Sequence, residues 1–334
     1  MKKTAKILLI MDFIAIFCLF ITYGPISYFR DLLVTTAMTT MEHQYLAQTF
    51  YTEKMIVNIL KNNVIDDNGK SSDISQIVFN NNHNTTYESI YEERILKKDG
   101  NDNYKVIPIS GSGYKGSLVA IYQPKKIKLV MASNYGLVGE ELDVIVKNNK
   151  AILGMNASGF EDTNGVGNGG IVAGILIKDS SIINSVPNLS HGGGIVGFNK
   201  EGILMMTHKS AYEAIKDGMV DGVQFGPFLV VNGEASEISG NGGMGIHPRT
   251  AIAQRKDGIV LFLTIDGRQP GYSIGTTISE VTKILLKYGA YNASNLDGGA
   301  STTLAIDNKI YNKPCGMSNG AFVPRALPNA WILK

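Results

Sequence analysis

The stretch TAIAQRKDGIVLFLTID, from Thr250 to Asp266, limits the fold more than any other part of this chain. Two apolar, β-branched runs flank Lys256-Asp257-Gly258, and an Asp-Gly between such runs is a hairpin signal. GIVGFNKEGILMMTH repeats the pattern around Asn199-Lys200-Glu201-Gly202. Hairpins join antiparallel neighbours, so a sheet assembled from them is mainly antiparallel. GSLVAIYQP, KIKLVMAS, AILGMNAS and GIVAGILIKDS add short runs bounded by Gly, Pro or Asn. Two helices interrupt the strands, at SAYEAIKDG and TISEVTKILLKYGA. In the second, Thr277 is the predicted N-cap and Glu280 completes a capping box. Ile278, Val281, Ile284, Leu285 and Tyr288 form its buried stripe, and Gly289 ends it. The predicted fold class is α+β, a mixed, mainly antiparallel sheet core with a few packed helices over residues 104–334.

The N-terminus imposes a separate constraint. In MKKTAKILLIMDFIAIFCLFITYGPISYF, Lys2, Lys3 and Lys6 precede an almost wholly apolar run from Ile7 to Tyr23. With its flanks this run is long enough to span a bilayer. The basic flank predicts a cytoplasmic N-terminus and an exported remainder. No small-x-small cleavage site follows, which favours an uncleaved signal-anchor over residues 1–29 rather than a removed signal peptide. Residues 30–103 are predicted as a helical stalk, from about Arg30 to Ile65, and then a polar, asparagine-rich stretch with little core material, a linker or a loose entry to the main domain. The expected location is the cell membrane, single-pass, with the C-terminal domain extracytoplasmic.

Composition removes several function classes. The 37 glycines follow no G-X-Y period, so they signal tight turns and close backbone approaches, not a collagen-like helix. A formal net charge of +2 gives no reason to expect a nucleic-acid partner. Cys18 lies in the apolar run and Cys315 is alone in the exported part, so neither a disulfide nor a cysteine metal site is expected. An exported chain without disulfides suits a bacterial surface, where the sequon at Asn84 is a chance match. His43, His83, His191, His208 and His247 form no HxxxH or HExxH pair, so zinc hydrolysis is not expected. No cofactor is called for. Acidic residues near the turns leave room for a divalent ion that nothing positively indicates.

Four segments break the strand pattern: GMNASGFED with Asn156, FGPFLVVNGE with Asn232-Gly233, GIHPRTAIAQ through LFLTIDGR, and LDGGASTTL. Each alone has a plain reading as a turn or a solvated loop. Ser158 has no histidine beside it, and NASGF is not a nucleophile elbow, so a catalytic serine is not expected. Together the segments are more specific. Asp266 and Asp297 each end an apolar run and precede a glycine. Gly298 and Gly299 have the freedom to expose successive N–H groups as an anion nest. Ser301 and Thr302 add neutral donors, and Arg249 and Arg268 add bidentate cationic ones. The combination suits a phosphate or similar anion beside a carboxylate. A Walker A loop is excluded, because no lysine follows the glycines.

The ordered set NASGF, GPFLVVNGE, HPRTAIAQ, LTIDGR and LDGGASTTL resembles the phosphodiester glycosidase family, from about Lys126 onward. The chain departs from the family pattern, nearer NGGFF and DGGGSST, at Ala157-Ser158 and at Ala300. The resemblance implies cleavage of a sugar-1-phosphodiester at the anomeric carbon, with a carbohydrate phosphodiester as substrate and the membrane as the other partner. It places Asp297 and Asp266 as catalytic candidates, one the nucleophile or general base. Arg249, Thr250, Arg268, Gly298, Gly299, Ser301 and Thr302 become substrate-binding candidates, and Asn156 orients a sugar hydroxyl. The alternative is a non-catalytic envelope-polysaccharide binding or biogenesis protein. Binding modules rely on exposed aromatic platforms, whereas the single tryptophan, Trp331, has a predicted packing position. A scaffold attached through the stalk leaves the glycine-rich turns unexplained.

Overall fold

The computed structural model describes residues 2–40, 43–79, 86–161, 168–188, 193–318 and 321–334. His83, Asn84, Asp162 and His191 lie outside the described residues. The chain forms two compact units, Met1–Ile65 with Ile238–Ile246, and Asp66–Glu237 with His247–Lys334.

The smaller unit is helical. Lys2–Tyr23 is one helix, and its Thr4–Tyr23 portion is long and apolar enough to cross a membrane, a property that signal sequences and single-pass anchors share. The predicted stalk is three helices, Ser27–Met38, Tyr45–Phe50 and Glu53–Asn62. They pack around Val34, Ala37, Ala47, Tyr51, Ile56 and Ile59. Ile238–Ile246 joins this unit through side-chain amides. Asn63 Oδ1 accepts from the Asn241 N–H at 2.8 Å, and Asn241 Nδ2 donates to Thr35 Oγ1 at 3.0 Å. Such contacts carry no periodicity, so sequence gives no sign of them.

Among the described residues the larger unit holds three antiparallel sheets of five or more strands, besides the small pair Gly316–Ser318 and Ala321–Val323. The large sheet orders its strands as Glu234–Ala235, Phe228–Val231, Ala290–Leu296, Arg249–Arg255, Val260–Ile265, Tyr114–Ile121 and Tyr104–Gly111. The second runs Lys309–Ile310, Leu304–Ile306, Leu153–Asn156, Asn329–Leu333 and Ile127–Met131. The third runs Ser181–Asn184, Leu176–Lys178, Met219–Gln224, Ile195–Asn199 and Leu204–Thr207. Both predicted hairpins form, and the fold is the α+β arrangement read from sequence.

All three sheets turn one face into a common core that includes Ile252, Phe262 and Leu296, Met155 and Trp331, and Val196 and Phe198. Trp331 is fully buried and meets the Phe198 ring edge-on at 5.2 Å, the packing role expected of it. The outer faces are covered by helices. Leu142–Asn148 packs on the second sheet through Leu142, Ile145 and Val146. Ala211–Lys216 packs on the third through Ala211 and Ala214. Ile278–Lys287 packs on the large sheet, burying Ile278, Val281, Ile284, Leu285 and its C-cap Tyr288 as the stripe predicts. Each such side chain contributes about 1.5–3 kcal/mol on burial. Covered on both sides, Arg249–Arg255, Val260–Ile265 and Ala290–Leu296 have no exposed residue, which accounts for their near-continuous apolar sequence.

One expectation changes. Thr277 accepts from the Glu280 N–H at 3.3 Å, but the Glu280 carboxylate receives the Tyr114 hydroxyl at 2.9 Å rather than closing a capping box. The box occurs at Ser210 and Glu213. Residues 66–79 and 86–103, expected as a linker or a loose entry to the main domain, belong to the larger unit. The Ser72 N–H donates to the Met206 carbonyl, the Val78 N–H donates to that of Lys256, and Ile95 is fully buried. Backbone hydrogen bonds hold this polar stretch, and they leave no mark on composition.

Candidate active site

The register of the large sheet assembles the site. Arg249 pairs with Ile265, and Thr250 pairs with Thr264 on one side and Leu296 on the other. Asp266 and Asp297 follow Ile265 and Leu296 directly. They therefore leave the two strands flanking Arg249–Arg255 at the same end, where Arg249 begins the central strand.

The two carboxylates differ. Asp266 is 3% exposed. Its Oδ2 accepts from the Tyr272 hydroxyl at 2.9 Å, and its Oδ1 from Asn312 Nδ2 at 2.9 Å and the Lys313 N–H at 3.1 Å. Burial raises its pKa above the usual carboxylate value, and these donors and the Lys313 charge oppose the rise. Burial and the bond to Asp266 push the Tyr272 phenol up to about 12, so it is a donor across the physiological range. Asp297 is half-buried. Its N–H donates to the Ala157 carbonyl at 3.4 Å, and its carbonyl accepts from Asn156 Nδ2 at 2.6 Å.

Residues 297–303 carry the chain from the large sheet to the second, which it enters at Leu304 paired with Met155. The crossing explains both glycines. A Cβ at Gly298 would lie 2.7 Å from the Pro248 carbonyl oxygen, an impossible contact with fixed backbone. Gly299 has φ +60°, and a Cβ there would lie 3.2 Å from Arg268 Nη2. The hydroxyl side chains that follow, Ser301, Thr302 and Thr303, are all buried.

The anion nest does not form as predicted. The Gly299, Ser301 and Thr302 N–H groups donate to the carbonyls of Pro248, Gly298 and Gly299, because Gly299–Ser301 closes a short 3-10 turn. The Thr303 N–H goes to Asn156 Oδ1 at 3.1 Å. Asn156 Oδ1 also accepts from the Thr250 hydroxyl at 3.0 Å, and Thr250 Oγ1 lies 3.3 Å from Thr302 Oγ1. Asn156 thus links both sheets to the crossover. Ser158 donates from both N–H and Oγ to Asn329 Oδ1 at 3.0 Å. Asn232-Gly233 is the turn between Phe228–Val231 and Glu234–Ala235.

Cationic groups gather at this end. Arg249 is buried, with its Nε donating to the Thr276 carbonyl at 3.1 Å. Desolvation, then the Arg268 charge, lowers its pKa to about 9, so an anion alongside would stabilise its charged form. Arg268 is exposed, with Nη2 3.3 Å from His247 Nδ1, and its charge opposes the rise that burial imposes on the Cys315 thiol. The ammonium groups of Lys115 and Lys313 lie over the Tyr272 ring, 5.1 and 4.1 Å from its centroid. Sequence reasoning missed Tyr272, Asn312, Lys313 and Lys115. The available signal was weak: a Gly-Pro-rich loop after a candidate aspartate, and a polar tail after the last hairpin.

Comparison with known proteins agrees with this architecture. The phosphodiester glycosidase family model matches residues 149–334. An uncharacterised SPbeta prophage-derived protein of Bacillus subtilis, YomE, is 28% identical over 189 residues, which is 54% of this chain but 28% of that protein's length. Among solved structures, the zebrafish N-acetylglucosamine-1-phosphodiester alpha-N-acetylglucosaminidase catalytic domain, auto-inhibited by its pro-peptide, superposes with a TM-score of 0.56 at 22% identity, covering 69% of this chain and 82% of that one. A hypothetical protein from Synechocystis superposes with a TM-score of 0.53 at 16% identity, covering 69% and 61%. These two show a shared fold. With more than half its length matched by the family model, the chain belongs to the phosphodiester glycosidase family.

Proposed function

We propose that this chain is a membrane-anchored, extracytoplasmic hydrolase that cleaves sugar-1-phosphodiester bonds of an envelope glycan or related glycoconjugate. The observation that carries the reading is the convergence of Asp266, Asp297, Arg249 and Arg268 at one end of the large sheet. The family and the name of the zebrafish relative support the bond type. The apolar helix behind basic residues supports the anchor.

The chemistry is consistent with these residues. Hydrolysis breaks the bond between the anomeric carbon and the phosphate oxygen, and the electron pair leaves with the phosphate. Water's oxygen then bonds to the carbon, and its proton passes to a base. A phosphomonoester, with a second pKa of roughly 6, leaves with less acid assistance than an alcohol needs. The residues' task is to hold the phosphate as charge moves onto it and to steady the oxocarbenium-like carbon. Arg268, being exposed, meets the phosphate, while Arg249 supplies a buried charge behind it. Asp297, half-buried beside the crossover, takes the nucleophile or base role. Asp266, surrounded by donors, holds Tyr272, Asn312 and Lys313 in place. Ser301 and Thr302 line the crossover, and Asn156 and Thr250 position it.

The test is release of reducing sugar by the full-length chain in detergent from a panel of sugar-1-phosphodiesters, beside Asp297→Ala. Release by the wild type alone supports the reading. Tight binding with no release by either protein would favour the non-catalytic polysaccharide-binding alternative.

A further inference from the structure

Lys115 and Lys313 belong to elements far apart in sequence, yet both ammonium groups converge on Tyr272. Lys115 opens onto the site from the strand Tyr114–Ile121, where its N–H donates to Ser273 Oγ at 3.1 Å. Lys313 is fixed by its N–H on Asp266 and by its carbonyl, which accepts from Gln269 Nε2 at 2.8 Å. Both backbones are thus tied to the loop that carries Tyr272. From their distances to one ring centroid, 5.1 and 4.1 Å, the two charges stand no more than about 9 Å apart.

Two like charges at that separation repel, and the ring face offsets this only in part. Among the described residues neither ammonium makes an ion pair or a hydrogen bond, although the Lys313 charge acts on the Asp266 carboxylate. Both side chains are exposed. Exposed lysines are not held by packing, and an anion reached by both ammonium groups would relieve their repulsion and meet up to six donor hydrogens. The site adjoins the candidate catalytic end through Asp266, which the Tyr272 hydroxyl contacts.

We propose that Lys115 and Lys313, gathered over Tyr272, bind a second phosphate of the same substrate molecule, so that the enzyme selects glycans or aglycones carrying phosphates in series. This rests on the hydrolase reading above, in which Arg268 and Arg249 take the scissile phosphate. A substrate with a single phosphodiester leaves the lysine pair unoccupied, and a repeating phosphodiester fills both places at once.

The experiment is equilibrium binding of glycerol phosphate oligomers with one or two phosphodiesters to the full-length chain in detergent, at low and at physiological salt. The wild type should prefer the longer oligomer by about tenfold at low salt, with the preference shrinking as salt rises. A Lys115→Gln/Lys313→Gln double variant should lose the preference, its affinity falling more for the longer oligomer than for the shorter. The corresponding double arginine variant should retain the preference, which a merely structural role for the lysines does not require. Equal wild-type affinity for the two oligomers, or a preference that survives the glutamine changes, overturns the proposal. Binding is read without turnover, so the two readings separate. A two-phosphate preference without release of sugar from the sugar-1-phosphodiester panel refutes the hydrolase alone. Release of sugar from single sugar-1-phosphodiesters without the preference refutes this inference alone.

Discussion

Asn156 Nδ2 donates to the main-chain carbonyl of Asp297 at 2.6 Å, so the chain's first glycine-associated motif holds its last one in position. The same side chain accepts from Thr250 and from the Thr303 N–H. Replacing Asn156 with alanine orphans a buried N–H and a carbonyl at once. The expected cost is about 2–4 kcal/mol of stability, with loss of activity as the crossover shifts. Thr250→Val removes one donor and should cost about 1 kcal/mol. Urea unfolding of the two variants checks the order, and equal costs would mean that Asn156 does not organise the loop.

The two glycines of the crossover should respond differently to alanine. At Gly298 the new methyl meets fixed backbone at 2.7 Å, so the sheets must part locally. At Gly299 it meets the end of a flexible arginine at 3.2 Å and takes a left-handed φ, a strain of about 1–2 kcal/mol. Gly298→Ala should therefore lower the melting temperature more than Gly299→Ala. Gly299→Ala should instead raise KM by displacing Arg268. Thermal unfolding paired with steady-state kinetics distinguishes the two.

Asp266 gives a pH signature whose sign is fixed by its environment. Its folded pKa is raised above 3.8, chiefly by burial. Between 3.8 and that higher value the folded chain binds more protons than the unfolded chain, so the group's contribution to stability falls as pH rises through the window. Asp266→Asn removes the titration. The stability of the wild type relative to Asp266→Asn should decline with rising pH across that window, as urea midpoints at several pH values would show. A difference that rises with pH would mean that the hydrogen bonds of Tyr272, Asn312 and Lys313 outweigh burial.

Much of this architecture was legible because it depends on local pattern. The hairpins at Gly202 and Gly258, the Thr277 cap and the five-residue stripe of Ile278–Lys287 follow from turn chemistry and period alone. Asp266 and Asp297 were identifiable as strand-end residues, but their convergence depends on strand order, which no short window encodes. The paired glycines signalled exceptional backbone. Sequence suggested an anion nest, whereas the close approaches of Pro248 and Arg268 show that the crossing between sheets demands them. Tyr272, Asn312 and Lys313 were illegible for the same reason as Asn241 in the smaller unit. Their roles are individual hydrogen bonds made from irregular loops, which follow no period.

Arg268 and Arg249 allow a contrast between a ligand contact and a buried support. Arg268 is exposed, so Arg268→Gln should leave the melting temperature within about 2 °C of wild type, as is usual for surface substitutions. If its guanidinium meets the scissile phosphate, KM for a sugar-1-phosphodiester should rise about tenfold or more. Arg268→Lys keeps the charge but loses the planar fork, so only part of that binding should return. Arg249 is buried with its Nε on the Thr276 carbonyl, so Arg249→Gln should lower both stability and kcat. Steady-state kinetics beside thermal unfolding separates these patterns. If Arg268→Gln left kcat and KM within about twofold of wild type, the phosphate would have to be held elsewhere.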